Sequence, residues 1–189
     1  MIDSTLGLRG QVCAVLDEVD RPHFSYCATF RDEGEACDCG KIVTGIWKNI
    51  IQDTGDIYYA QLGAGETPTD TYTQITVATA GTFGTLKTRD AGDVTTVPSG
   101  GSQNFDSGYP TTADADTNNP GTTGADIVTF RTTYAIGDAN GSITGVVINE
   151  TGATFGSGSD PLLMSAAVTI TKSASQTLAI YVNHTFTGS

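Results

Sequence analysis

The chain has 189 residues, a length that suits one domain with an extension. Charged residues make up only 16% of it, against roughly 25% in ordinary globular chains, and Gly, Thr, Ser and Asn take their place. With 9 basic and 21 acidic residues the net charge is −12, which opposes docking on a nucleic-acid backbone or an anionic membrane surface.

No apolar run is long enough to cross a bilayer as a helix. The opening MIDSTLGLRG lacks the basic and apolar regions of a secretory leader. The expectation is a chain made in a cytosol and not exported by that route.

Residues 1–40 read as an extended N-terminal arm and residues 41–189 as the folded domain. The arm carries an apolar burst, Val12 to Leu16, and a second stretch in which Phe24, Tyr26, Ala28 and Phe30 alternate. Residues 41–53 are predicted as the one helix, because Ile42, Ile46, Ile50 and Val43, Trp47, Ile51 each recur every four residues. Gly55 supplies its stop signal. Residues 57–62 read as a buried strand closed by a Gly63-Ala64-Gly65 turn. Residues 72–78 and 82–88 are predicted strands around an Ala80-Gly81 turn, and 94–97 add another, ended by Pro98.

Residues 98–125 form a long polar loop without Lys or Arg. Loops of that length in compact domains are usually functional, or ordered by a neighbour. In residues 126–135 the set Val128, Phe130, Thr132, Tyr134 is the more apolar and is expected to face the core. Asp138-Ala139-Asn140-Gly141 reads as a hairpin turn leading into a strand over 142–149. Strands over 162–171 and 177–187 follow, with residues 172–176 as an exposed loop between them. Leu178, Ile180, Val182, His184 and Phe186 share one face. This pattern predicts an all-β domain, a β-sandwich of jelly-roll or immunoglobulin-like topology, with an extended arm and one short helix.

Two stretches carry a resemblance. WKNIIQDTGDIYYAQLGAGETPT resembles the opening of a family of tailed-bacteriophage virion β-proteins, which includes head-decoration and tail-fibre-like chains. VTFRTTYAIGDANGSITGVVINETGA and LLMSAAVTITKSASQTLAIYVNHTF resemble that family's strand–Ala-Asn-Gly-turn–strand unit and its final hairpin. The likeness covers roughly residues 42–90 and 126–187. It implies a non-enzymatic virion part assembled in the host cytoplasm: a capsid decoration, cement or head-fibre protein. Its expected partners are copies of itself, as a trimer, and neighbours such as the major capsid protein. A tail-fibre or baseplate receptor-binding module is the alternative. The cysteine-bearing arm and the 98–125 loop have no counterpart in the family, which makes them the expected places for this chain's own contacts. Phe24, Tyr26, Phe30, Trp47, Phe105 and Tyr109 are the candidate interaction residues. Exposed Tyr72, Phe105 and Tyr109 would suit a glycan site.

The remaining chemistry is sparse. Cys27, Cys37 and Cys39 with His23 offer zinc-type ligands, but Cys-x-Cys is a poor spacing for one metal. Disulfides within or between subunits are a second reading of Cys13, Cys27, Cys37 and Cys39. Free thiols, with Cys13 and Cys27 partly buried, are the third. Asp114, Asp116 and Asn118 alternate as calcium ligands would, yet lack the glycine and distal glutamate of an EF-hand, so a solvated loop is expected there. No nucleophile elbow, metalloprotease or phosphate-loop motif is present. His184, sharing a face with Ile180 and Val182, reads as a packed strand histidine. No catalytic residue, metal or cofactor is assigned.

Overall fold

The computed structural model describes residues 7–18, 41–112, 119, 124 and 126–187. In chain order the elements are β1 (Gly7–Glu18), β2 (Lys41–Ile51), α1 (Asp53–Gly63), β3 (Gln74–Ala78), β4 (Ala80–Gly81), β5 (Val94–Thr96), β6 (Ser102–Asn104), β7 (Ile127–Tyr134), β8 (Gly141–Asn149), β9 (Leu162–Lys172) and β10 (Gln176–Thr187). A single 3₁₀ turn, Ala91–Asp93, precedes β5. The fold is all-β with one short helix. β4 and β5 form a small separate ribbon.

The other eight strands hydrogen-bond in one antiparallel sheet, ordered β6-β3-β8-β9-β2-β1-β10-β7. The expected pair of stacked sheets is therefore replaced by a single sheet curled on itself. β2 meets β9 only at Ile50↔Ser165 and Ile51↔Met164, a narrow seam at which the sheet bends. Register shifts at Ala14/Val15, Ile143/Gly145 and Ile148/Asn149 add curvature, as bulges do. The free edges then approach each other. Asp106 N donates to Arg131 O at 2.9 Å, and Thr111 and Thr129 exchange backbone bonds of 2.9 and 2.8 Å. Thr132 Oγ1 donates to Asn104 O at 3.2 Å. The result is a nearly closed barrel whose edge strands are covered.

Eight strands enclose a space that side chains can just fill. Alternation supplies the filling. Val12, Ala14 and Leu16 from β1, Leu178, Ile180 and Val182 from β10, and Ile75 and Val77 from β3 point inward. Phe130 and Tyr134 from β7, Ile143, Val146 and Ile148 from β8, and Met164, Ala166, Val168 and Ile170 from β9 complete one buried cluster. Tyr134 is fully buried, and its hydroxyl donates to Ile75 O at 2.7 Å, so its polar tip is satisfied. A second cluster lies on the outer face of β3, β8 and β9: Ala78, Phe83, Val94, Val147 and Leu162.

Three sequence expectations are corrected. Residues 41–53 are not a helix; residues 41–51 form β2, paired with β1 along most of its length. Residues 57–62, expected as a strand, lie in α1. Asp53 and Asp56 sit in its first turn, where negative charge suits the helix dipole. Gly65 at φ +74 lets its N–H reach Leu62 O and that of Glu66 reach Gln61 O, ending the helix. The segment 135–141 is not a hairpin turn, since β7 pairs with β10 while β8 pairs with β3 and β9. It carries the chain across an end of the barrel, with positive φ at Gly137, Ala139 and Gly141.

Smaller differences concern the boundaries. Residues 7–18, assigned to the arm, form a strand between β2 and β10. Within residues 98–125, β6 and the bridge at Thr111 belong to the sheet system. Residues 82–88 are irregular. They lay Phe83 so closely on Gly145 that a Cβ there would collide with the ring. Gly145→Ala is expected to cost about 1–3 kcal/mol by overpacking, read as a lower urea midpoint with unchanged slope. Phe83→Leu in the same chain should recover part of the loss.

Candidate functional site

The inward row of β9 runs Met164, Ala166, Val168, Ile170 and then Lys172, so alternation delivers a lysine to one end of the barrel interior. Lys172 is only 2% exposed. Its Nζ donates to Asn140 Oδ1 at 3.1 Å, Ala135 O at 3.2 Å and Ser173 O at 3.4 Å. Burial lowers its pKa, and Asp138 opposes that shift. The ammonium ties the crossing segment 135–140 to the end of β9. Ser99 O, accepting from Ala139 N at 2.8 Å, ties the same segment to the strand-free stretch before β6. Lys172 therefore belongs to β9 and is buried, where an exposed loop was expected.

The opposite end is closed by α1. Gly55 sits so near Leu163 O that no Cβ fits between helix and sheet. Thr54 Oγ1 donates to Leu162 O at 2.7 Å. This close seating aims Tyr59 into the barrel, where its Oη lies 2.6 Å from His184 Nδ1. Asn49 Nδ2 stands 3.0 Å from His184 Nε2. Around this trio are edge-on rings: Tyr59 against Phe186, Phe130 against His184, and Tyr58 against both Tyr59 and Tyr72. Burial pushes His184 down to about 3, so the imidazole is neutral at physiological pH. Burial raises Tyr59 well above the usual phenol range and Tyr72 to about 12. The cluster is a neutral hydrogen-bonded plug.

The candidates picked from sequence do not converge. Cys13 lies fully buried against Val15 and Tyr181 and is a free thiol. Burial lifts it to about 12, which leaves almost no thiolate. Trp47 packs partly buried against the barrel core, and Phe105 does the same, its ring tilted against that of Phe130 at 5.3 Å between ring centres. Tyr109 is half-buried and holds Arg131 over its face, with Tyr181 also 5.6 Å from that guanidinium. Tyr72 is buried rather than exposed. Phe24, Tyr26, Phe30, His23, Cys27, Cys37 and Cys39 lie outside the described residues, as do Asp114, Asp116 and Asn118.

Sequence reasoning missed Asn49, Tyr59 and Lys172. For Lys172 the signal was present: it continues the inward row of β9. Asn183 was also missed. It exchanges amide bonds with Asn119 at 3.1 and 3.2 Å and accepts from Thr129 Oγ1 at 2.8 Å, which pins the 98–125 segment to the outer face of β10. Among the described residues no group of three or more His, Cys, Asp or Glu side chains is arranged to hold a metal ion. Comparison with protein-family models, curated proteins and solved structures returns no match.

Two outcomes follow from this geometry. Lys172→Met strips three oxygens of their donor and is expected to lower stability by about 1–3 kcal/mol, while the exposed neighbour Thr171→Ala stays within about 0.5 kcal/mol. Both are read from urea unfolding. Cys13 in native protein should resist iodoacetamide at pH 8, as mapped by peptide mass, and should react fully once the chain is unfolded.

Proposed function

We propose that the chain is a non-enzymatic structural protein of a tailed-bacteriophage particle: a capsid decoration, cement or head-fibre protein that binds copies of itself and the neighbouring shell protein. The carrying observation is the filled barrel. Its interior is occupied by apolar side chains, and Lys172 at one end and His184 at the other are hydrogen-bonded to neighbouring groups of the chain, with Asn49 Oδ1 left without a partner. An enzyme or carrier needs a concave site with convergent polar groups. A filled barrel offers a rigid body, and its outer surface is what remains for contact.

That outer surface supports the reading. Thr144, Ala167, Thr169 and Thr171 are exposed on the strands and Lys48 joins them, the reverse of the apolar outer band of a membrane-crossing barrel. Large apolar side chains are exposed on several elements: Ile46 on β2, Ile57 and Leu62 on α1, and Leu86 and Ile136 on connecting segments. Dispersed apolar anchors suit a protein held by neighbours on several sides. The net charge of −12 favours a basic docking surface on such a neighbour.

The test is copy number. On a stained gel of purified particles the chain should run in fixed ratio to the major capsid protein, at many copies per particle. A handful of copies would assign it instead to a tail fibre or baseplate, as a receptor-binding module. Absence from the particle would remove both readings. Light scattering on the purified chain should show self-association, with a trimer expected; a monomer at every concentration would remove that part.

A further inference from the structure

We infer that His184 is an acid-sensitive latch that holds helix α1 over one end of the barrel. This rests on the geometry of the plug and is independent of where the chain is deployed.

Consider first what faces the imidazole. From α1 comes Tyr59, with Tyr58 behind it. From β2 comes Asn49, while Lys48 is exposed on the other face. From β7 come Phe130 and the paired Val128, and from β1 the paired Gly10. The titratable members are Tyr58 and Tyr59, and burial keeps both uncharged at and below neutral pH. No carboxylate stands against His184 among the described residues, and burial is the sole cause of its shift. A proton added here would have no counter-charge.

A neutral imidazole has one donor and one acceptor nitrogen. With Asn49 Nδ2 donating to Nε2, the Nδ1 proton goes to Tyr59 Oη. Protonation turns Nε2 into a second donor, which Asn49 meets only by turning its amide to offer the unpartnered Oδ1. Both acceptors are neutral, so the ring is left as a desolvated cation without a counter-charge.

One side of the site must give way. β10 is paired along its length with β1 on one side and with β7 on the other, so His184 cannot leave without opening the sheet. Tyr59 is carried by one helix, seated by the Thr54 hydroxyl, the Gln52 and Asp53 backbone N–H groups, and ring packing. Release of α1 admits water to the imidazolium at the smaller structural cost.

The size follows from linkage. In the released state His184 regains its ordinary value of 6.5, and in the latched state it lies at about 3. Stability of the latch is therefore full above pH 6.5 and is lost as pH falls towards 3. The latched-to-released ratio approaches a tenfold drop per pH unit below 6.5, which amounts to about 16-fold between pH 6.5 and 5.

Amide exchange, corrected for the intrinsic pH dependence of the rates, tests this in the full chain. Protection of residues 53–63 is expected to fall by about that factor between pH 6.5 and 5, while residues 162–172 in β9 keep theirs. His184→Gln, which bonds but does not titrate in this range, should abolish the fall. Unchanged helix protection, joint loss of helix and β9 protection, or an equal fall in His184→Gln would each overturn the proposal. Should His184→Gln not fold, the ring's own NMR titration in the wild-type chain decides. A pKa near 6.5 with the helix still protected would overturn the latch; a neutral ring for as long as α1 is protected is the expected result.

Discussion

The barrel depends on one constraint: the inward rows of its long strands must be apolar over most of their length and must fit the same enclosed space. Closing the sheet leaves few strand edges unpaired, which removes most of the aggregation risk of so Thr- and Val-rich a chain. Closure also fixes register. A one-residue slip of β10 would send Leu178, Ile180 and Val182 outward and turn Tyr181 and Asn183 into the core. The polar groups at the two ends follow from the same rule. Inward rows that run past the apolar zone end on Lys172 at one end and His184 at the other, and each must find partners there because water is excluded.

The sequence was legible where period and length agreed. All four strands between residues 127 and 187 were expected, and for the two given an inward set, β7 and β10, Phe130, Tyr134, Leu178, Ile180 and Val182 do face the core. The helix was misplaced for a reason in the arithmetic of spacing. Ile42, Ile46, Ile50 and Val43, Trp47, Ile51 recur every four residues, and four is both near one helical turn and two strand repeats. Pairing with β1 decides the matter, and pairing is not local. The shift at Gly45, with φ 155, disturbs the alternation that would have revealed the strand. The contiguous run of residues 57–62 is equally ambiguous, since an unbroken apolar stretch suits a buried strand or a covering helix.

The site was less legible. His184 could be placed on an apolar face, but its partners come from β2 and α1, more than a hundred residues upstream. Their roles appear only once the seam between β2 and β9 has brought α1 across the end. Tyr109 illustrates the opposite error. An aromatic in a polar loop invites a ligand-binding role, yet its ring is already occupied by Arg131, which also pairs with Asp106 at 3.0 Å. Phe105 is likewise spent on closing the sheet edge against Phe130.

The pairing of β1 with β10 has a consequence for how the chain is made. These two strands match residue for residue from Gly7↔Thr187 to Glu18↔Gln176, so β1 leaves the ribosome long before its partner β10. Until β10 emerges, β1 presents Val12, Ala14 and Leu16 with that edge unmet. Long-range pairing of this kind slows folding and exposes nascent chains to chaperones and to each other. Synthesis from many adjacent ribosomes places such waiting edges side by side, and a β10 from a neighbouring chain is then a competing partner for each of them.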